Sequence, residues 1–481
     1  MRLGDLLIRA GRVTEQDVEK ALRRSRELGG RLGDNLIAIG AIDAATLRGF
    51  LRRIPAEPHD VASMGVEKGE LVELLMKLIY KNRLETVRHY IDAIKLPYHI
   101  VVDLVRMAVD RQFLHTLGSR YSDNLLDMAY AMTEEGRRYT QDAIERLRYA
   151  GPAPVRLEDF AEQVSLQKLS NEIVTMRRIL DALGDLEVEQ YVLEQSGPAL
   201  NSGRAILFYG PPGNGKSSLA YRYAAVFQDI IYVPYAVEVE GQIIRVFDER
   251  VHHVVQPAAG LDETISFLRQ DEYDRRWVPC RRPFVVLGGE LTLDMLDLRY
   301  DETGHFYEAP MHMKALGGTL LIDDFGRQLV SPTHLLNRWI VPLENRIDFL
   351  KLHTGKSFQI PFEELVIFST NMDPEDLMDT AFLRRLPYKI EVASPKVDRF
   401  HRIFQKECER EGFKLTDAIF QHVVHRLRNE KKVELAAYQP KFIVDQVRAI
   451  CRFLELPAHF EPRFIDYAID NLRVRRQPPQ P

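Results

Sequence analysis

The stretch AILFYGPPGNGKSSLAYRYAA, residues 205–225, constrains this chain more than any other. Ala205–Tyr209 is an apolar run of strand length. Gly210, Pro211, Pro212, Gly213, Asn214, Gly215, Lys216 and Ser217 then fit the pattern GxxxxGKS, and an amphipathic helix follows from Ser218 onward. Glycines free the backbone N–H groups to wrap an anion at the start of a helix, so the loop is expected to cradle phosphate. Lys216 would reach the β- and γ-phosphates, and the Ser217 hydroxyl would take Mg²⁺. Strand, loop and helix in this order open an α/β fold.

A second apolar strand, Thr319–Ile322 in GGTLLIDDFGR, ends in Asp323 and Asp324. Carboxylates beside a phosphate loop can hold a hydrated metal and orient the attacking water. A third strand, in LVIFSTNMDP, ends at Asn371, whose amide could help place that water. DTAFLRRLPYKI then offers Arg384 and Arg385 at a helix end.

This order, with the wording GPPGxGKS, resembles the AAA+ ATPase family. The resemblance implies a nucleotide-binding core over 190–394 and a helical lid over 395–481, with ATP and Mg²⁺ as ligands. It implies that Ser217 and Asp323 hold the metal and that Asn371 is the first sensor. Asp324 stands where the family usually has Glu. Arg384, Arg385 or both would reach the ATP of a neighbouring subunit in a homo-oligomeric ring, most often a hexamer, acting on a protein client. No second-sensor arginine is evident; Lys441, in YQPKFIVDQ, is the substitute. Lys216 and Asp323 are far enough apart to require an insertion within about 235–315.

The N-terminus repeats itself at an offset of 29 residues: Arg2-Leu3-Gly4-Asp5 returns as Arg31-Leu32-Gly33-Asp34, and Gly11 as Gly40. Thr14 and Asp43 are expected N-caps, each leading into an amphipathic helix. Residues 1–54 hold ten Arg and one Lys against seven acids, in a chain whose net charge is −5. Two basic half-sites related by an approximate two-fold axis suit a two-fold symmetric anion. The pattern, 2–25 and 31–54 around a five-residue spacer, resembles the N-terminal domain of type II secretion and type IV pilus ATPases in its cyclic di-GMP-binding form. That resemblance implies contacts from Arg2, Leu3, Gly4, Arg31, Leu32 and Gly33, with Leu22 and Leu51 on the apolar side. Asn35, where the first unit has Leu6, departs from the repeat.

Residues 55–68 read as a linker. The stretch 69–150 reads as three helices, Leu71–Lys81, Leu84–Ile94 and Tyr98–Leu114, and then an extended piece, Leu126–Met132, in the outline of a winged helix. The third helix balances Arg106 and Arg111 with Asp103 and Asp110, so nucleic acid is not the favoured partner. A helical connector occupies 151–189, with a charged pattern over Leu169–Asp185. Three scattered cysteines and the lack of a long apolar run point to a cytoplasmic protein without membrane insertion, and the two resemblances imply a bacterial one. HTGKS at 353–357 reads as a hairpin turn, and His252 and His253 lack partners for zinc. Arg338 and Arg346 could face a neighbouring subunit or form structural ion pairs. The alternative to a client-remodelling ATPase is a nucleotide-dependent scaffold or DNA-binding regulator with little turnover.

Overall fold

The computed structural model describes residues 3–119, 125–255 and 273–472. Five parallel strands form its central sheet: β1 (Ile206–Tyr209), β2 (Phe284–Leu287), β3 (Thr319–Ile322), β4 (Leu365–Thr370) and β5 (Tyr388–Glu391). Their order across the sheet is β5-β1-β4-β3-β2. The chain leaves β1 for the far edge, returns strand by strand to one flank of β1, and finishes on the other. The reversal at β1 opens a crevice at the carboxyl ends of β1, β3 and β4, where α/β sheets bind ligands.

Both faces of the sheet are covered. Leu365 and Ile367 of β4 join one apolar core with Ile206, Phe208, Leu219 and Tyr223, while Val366 and Phe368 join another with Leu207, Trp339 and Phe362. Burial on two sides explains why these strands read as unbroken apolar runs. The α/β class is therefore present, and a separate helical core built from Phe400, Phe404, Val423, Val447 and Ile465 forms the C-terminal part.

The insertion contributes to a second five-stranded sheet, ordered Arg299–Asp301, Phe306–Glu308, Gln242–Arg245, Ala236–Val239, Val155–Arg156. Its last strand comes from before the phosphate loop, so the connector is woven into the insertion. The connector also departs from one continuous helix. Leu169–Asn171 is a single 3₁₀ turn, and the chain extends before a new helix, Met176–Leu183, capped by Thr175. The extended piece carries the buried Glu172 into a polar cluster. HTGKS turns the hairpin between Ile347–Lys351 and Ser357–Pro361.

The segment read as a linker is packed: Val61, Met64 and Val66 enter the core of the next unit. Three helices follow there, Lys68–Asn82, Val87–Ile94 and Tyr98–Asp110, and then an antiparallel pair, Leu114–Ser119 with Met128–Met132.

The repeat forms helices Leu3–Arg9, Glu15–Leu28, Leu32–Ala38 and Ala44–Leu51. Thr14 and Asp17 build a capping box, and Asp43 accepts from Ala45 and Thr46 N–H. The two halves pack reciprocally. A Cβ on Gly4 would lie 2.9 Å from Val18 and 3.3 Å from Leu32, and one on Gly33 would lie 2.8 Å from Leu47 and 3.8 Å from Leu3. Val18 and Leu47 are equivalent by the 29-residue offset, as are Leu3 and Leu32. Both glycines are buried, and the missing Cβ at each lets the two halves pack closely. Asn35 also gains a reason: its amide donates to Gly29 O (3.1 Å) and Arg31 O (3.0 Å), bracing the turn that leads into the second unit.

Candidate functional site

At the end of β1 the chain turns through Gly210, Gly213 and Gly215 with φ of 130°, 78° and 86°, values that favour glycine. The helix Lys216–Ala224 begins directly after, with Gly215 as its cap. Lys216 is 6% exposed. Its ammonium donates to Gly210 O and Pro211 O, both at 2.9 Å, and to Asn371 Oδ1 at 2.7 Å. Burial pushes its pKa down, and the nearby carboxylates of Asp324 and Asp323 oppose that shift.

Five of the expected residues meet here from three strand ends. Ser217 Oγ donates to Asp323 Oδ1 at 2.9 Å. Asn371 Nδ2 donates to Asp324 Oδ1 at 2.9 Å, so Asn371 bridges Lys216 and Asp324. Asp324 has φ of 48°. Asp enters this left-handed region more readily than a longer side chain, which gives a local reason for Asp at a position where Glu was expected. Gln328 closes the turn, donating to Asp323 O (2.8 Å) and accepting from Gly326 N–H (2.8 Å).

The hydroxyl and carboxylate of Ser217 and Asp323 are hard oxygen donors of the kind Mg²⁺ takes, so the residues present fit that ion. Ser218 is exposed on the next turn, and Pro212 is exposed on the loop.

The other expected residues lie apart from this group. Arg384 is exposed, and Arg385 pairs through Nε with Glu344 at 2.6 Å in its own chain. Arg338 is held by Asp348 and Arg346 by Glu363 (3.2 Å), which makes both structural ion pairs. Lys441 is exposed on the first turn of the helix Gln439–Phe453, with Glu407 in electrostatic range. His252 is buried, bonded to Asp248 N–H and Lys314 O, and pushed down to about 4 by burial. Among the described residues no His, Cys, Asp and Glu cluster is arranged for a metal, and no helix is long and apolar enough to cross a membrane.

Arg2 lies outside the described residues. In the repeat, Arg31 is exposed, and Leu22 and Leu51 are 38% and 39% exposed at positions related by the 29-residue offset. Leu3 and Leu32 are half-buried at the junction of the two halves.

Contacts that sequence reading missed come from the C-terminal part. Tyr438 N–H donates to Gly213 O (3.0 Å), Ala437 N–H donates to Asn214 Oδ1 (3.1 Å), and a Cβ on Gly213 would lie 2.3 Å from the Tyr438 ring. A tight cleft of about 10 Å³, where Leu186, Val188, Leu219 and Val392 meet the charged Glu187, Glu189 and Arg399, lies beside Gly215. Neither has a sequence signature, because both join segments some 200 residues apart.

A family profile described as a domain of unknown function (DUF8689) matches residues 396–471, the helical C-terminal part. No curated protein matches the chain. Among solved structures, the chain is similar to a mutant of RuvB from Thermotoga maritima, at 13% identity and a TM-score of 0.34 over 63% of this chain and 73% of that one. It is also similar to NtrX from Brucella abortus, at 14% identity and a TM-score of 0.37 over 63% of this chain and 60% of that one.

Proposed function

We propose that this chain is an ATP-hydrolysing AAA+ ATPase that works as a ring on a protein client, governed by cyclic di-GMP at its N-terminal repeat. One observation carries the ATPase reading: Lys216, Ser217, Asp323, Asp324 and Asn371 converge in one hydrogen-bonded group at the switch point of a parallel sheet. The loop N–H groups and Lys216 suit the phosphates. Mg²⁺ at Ser217 and Asp323 would offset charge on the phosphate oxygens. Asp324 accepts the proton of the attacking water, and Asn371 orients that carboxylate through its amide. Of the two arginines, Arg384 is the one presented to a neighbouring subunit, since Arg385 is engaged by Glu344.

Phosphate release by the full chain tests this reading. Turnover per subunit should rise with protein concentration in the wild type and lose that rise in Arg384→Ala. The short carboxylate of Asp324, held by Asn371, favours a second reading, a scaffold that binds ATP without turning it over. ATP binding with no phosphate released in a single turnover would select the scaffold.

The second-messenger reading rests on the reciprocal packing of the two half-units, with exposed Arg31 and the matched exposed pair Leu22 and Leu51. Calorimetric titration of the full chain with cyclic di-GMP should give a saturable signal that Arg31→Ala weakens at least tenfold. An unchanged titration in that variant would leave the repeat as a docking module.

A further inference from the structure

The last residues of the repeat are fastened to the motor at three points. Arg53 Nη1 donates to Asp229 Oδ2 at 2.7 Å, Gln163 Nε2 donates to Arg53 O at 2.6 Å, and Asp274 N–H donates to Pro55 O at 2.9 Å. Ile54 packs against the core shared by the insertion and the connector. Asp229 is 4% exposed, so this contact is not a solvated surface pair.

Behind Asp229 lies a buried polar hub. Glu172, 1% exposed, accepts from Asp229 N–H (3.2 Å), Gln228 N–H (2.8 Å), Arg178 (2.6 Å) and Arg282 (3.2 Å). Arg282 also donates to Gln167 O (2.9 Å) and Gly317 O (2.6 Å). Gln167 in turn exchanges hydrogen bonds with both backbone groups of Tyr232, at 3.0 and 2.9 Å, and meets Gln163 at 3.2 Å. Gly317 stands two residues before β3, which is only four residues long, and Asp323 follows its last residue. A displacement of the hub therefore reaches the acid pair along one short, fully buried strand. Nothing in the phosphate chemistry needs these residues, and none touches the loop.

We infer that Arg53 is a positioning residue through which the N-terminal repeat holds the Asp323–Asp324 strand, by way of Asp229, Glu172, Arg282 and Gly317. This inference rests on the ATPase reading for its catalytic consequence but not for its physical one. It assigns the repeat a coupling route to the site whatever ligand the repeat takes. A continuous set of bonds is a route only, and coupling is a measured quantity.

The test is a double-mutant cycle on the full chain: wild type, Arg53→Ala, Asp229→Asn, and both together. Amide hydrogen exchange is read over Gly317–Asp323, alongside ATP turnover. Each single change should speed exchange there at least threefold and lower kcat at least threefold at unchanged KM. The double variant should match either single, Arg53→Lys should keep most of the wild-type exchange rate and kcat, and the faster exchange should stay confined to the hub and Gly317–Asp323 rather than spread through the chain. Unaltered exchange over Gly317–Asp323 in both single variants, or additive effects in the double, would overturn the inference. Absence of turnover in the wild type overturns the ATPase reading instead, and the exchange measurements still decide the coupling.

Discussion

Lys216→Ala should abolish nucleotide-dependent activity while leaving the fold in place. The ammonium is the one buried cation among the site's bonded residues, held at 2.7–2.9 Å by Asn371, Gly210 and Pro211. In the proposed reaction it would transfer from the loop carbonyls to phosphate oxygens, where a fixed charge in a water-poor site stabilises developing charge far better than water does. Losing such a group costs on the order of 10²–10³ in turnover. The free protein loses three hydrogen bonds at the loop, a cost of about 1–3 kcal/mol, so circular dichroism should still report a folded chain. Phosphate release together with binding of a fluorescent ATP analogue would check this, and turnover equal to the wild type would remove the ATPase reading.

Glu172→Ala should be the most destabilising single change among those considered. Arg282 is buried with Glu172 as its only carboxylate ion-pair partner among the described residues, and Arg178 and two backbone N–H groups converge on the same carboxylate. Removing one member of a buried pair leaves the other charge uncompensated, which costs about 3–5 kcal/mol. The midpoint of chemical denaturation should fall accordingly, and an unchanged midpoint would show that the hub relaxes without it. Acid should produce part of the same effect. Burial alone would raise the Glu172 pKa, but Arg282, the Gln228 N–H and Arg178 together hold it below the usual carboxylate value. A folded pKa below the unfolded one means that the contribution is present above about pH 4.3 and is lost as pH falls through the depressed folded value.

Much of the α/β core was legible because its pattern is local. Glycines at positive φ, a strand that must be apolar on both faces, and acids at a strand end all leave marks within a few residues. Asn371 could be chosen from the sequence because it, too, ends an apolar strand. The repeat was legible as a repeat, but not the way its halves pack. The closeness of Val18 to Gly4 and of Leu47 to Gly33 joins helices whose contact no local spacing announces. The linker was misjudged because its few apolar residues, Val61, Met64 and Val66, gain their role from partners far along the chain.

By itself, then, the sequence determined the glycine-rich loop, the acid pair, the α/β class and the doubling of the N-terminus, all of which follow from side-chain type and short spacing. Tertiary structure alone decided that Arg385 is engaged by Glu344 while Arg384 is exposed, that Tyr438 closes on Gly213, and that Arg53 meets Asp229 beside the buried Glu172–Arg282 hub. The physical reason is the same in each case. A hydrogen bond or ion pair between residues dozens to hundreds of positions apart depends on where the intervening chain folds, and no local pattern encodes that.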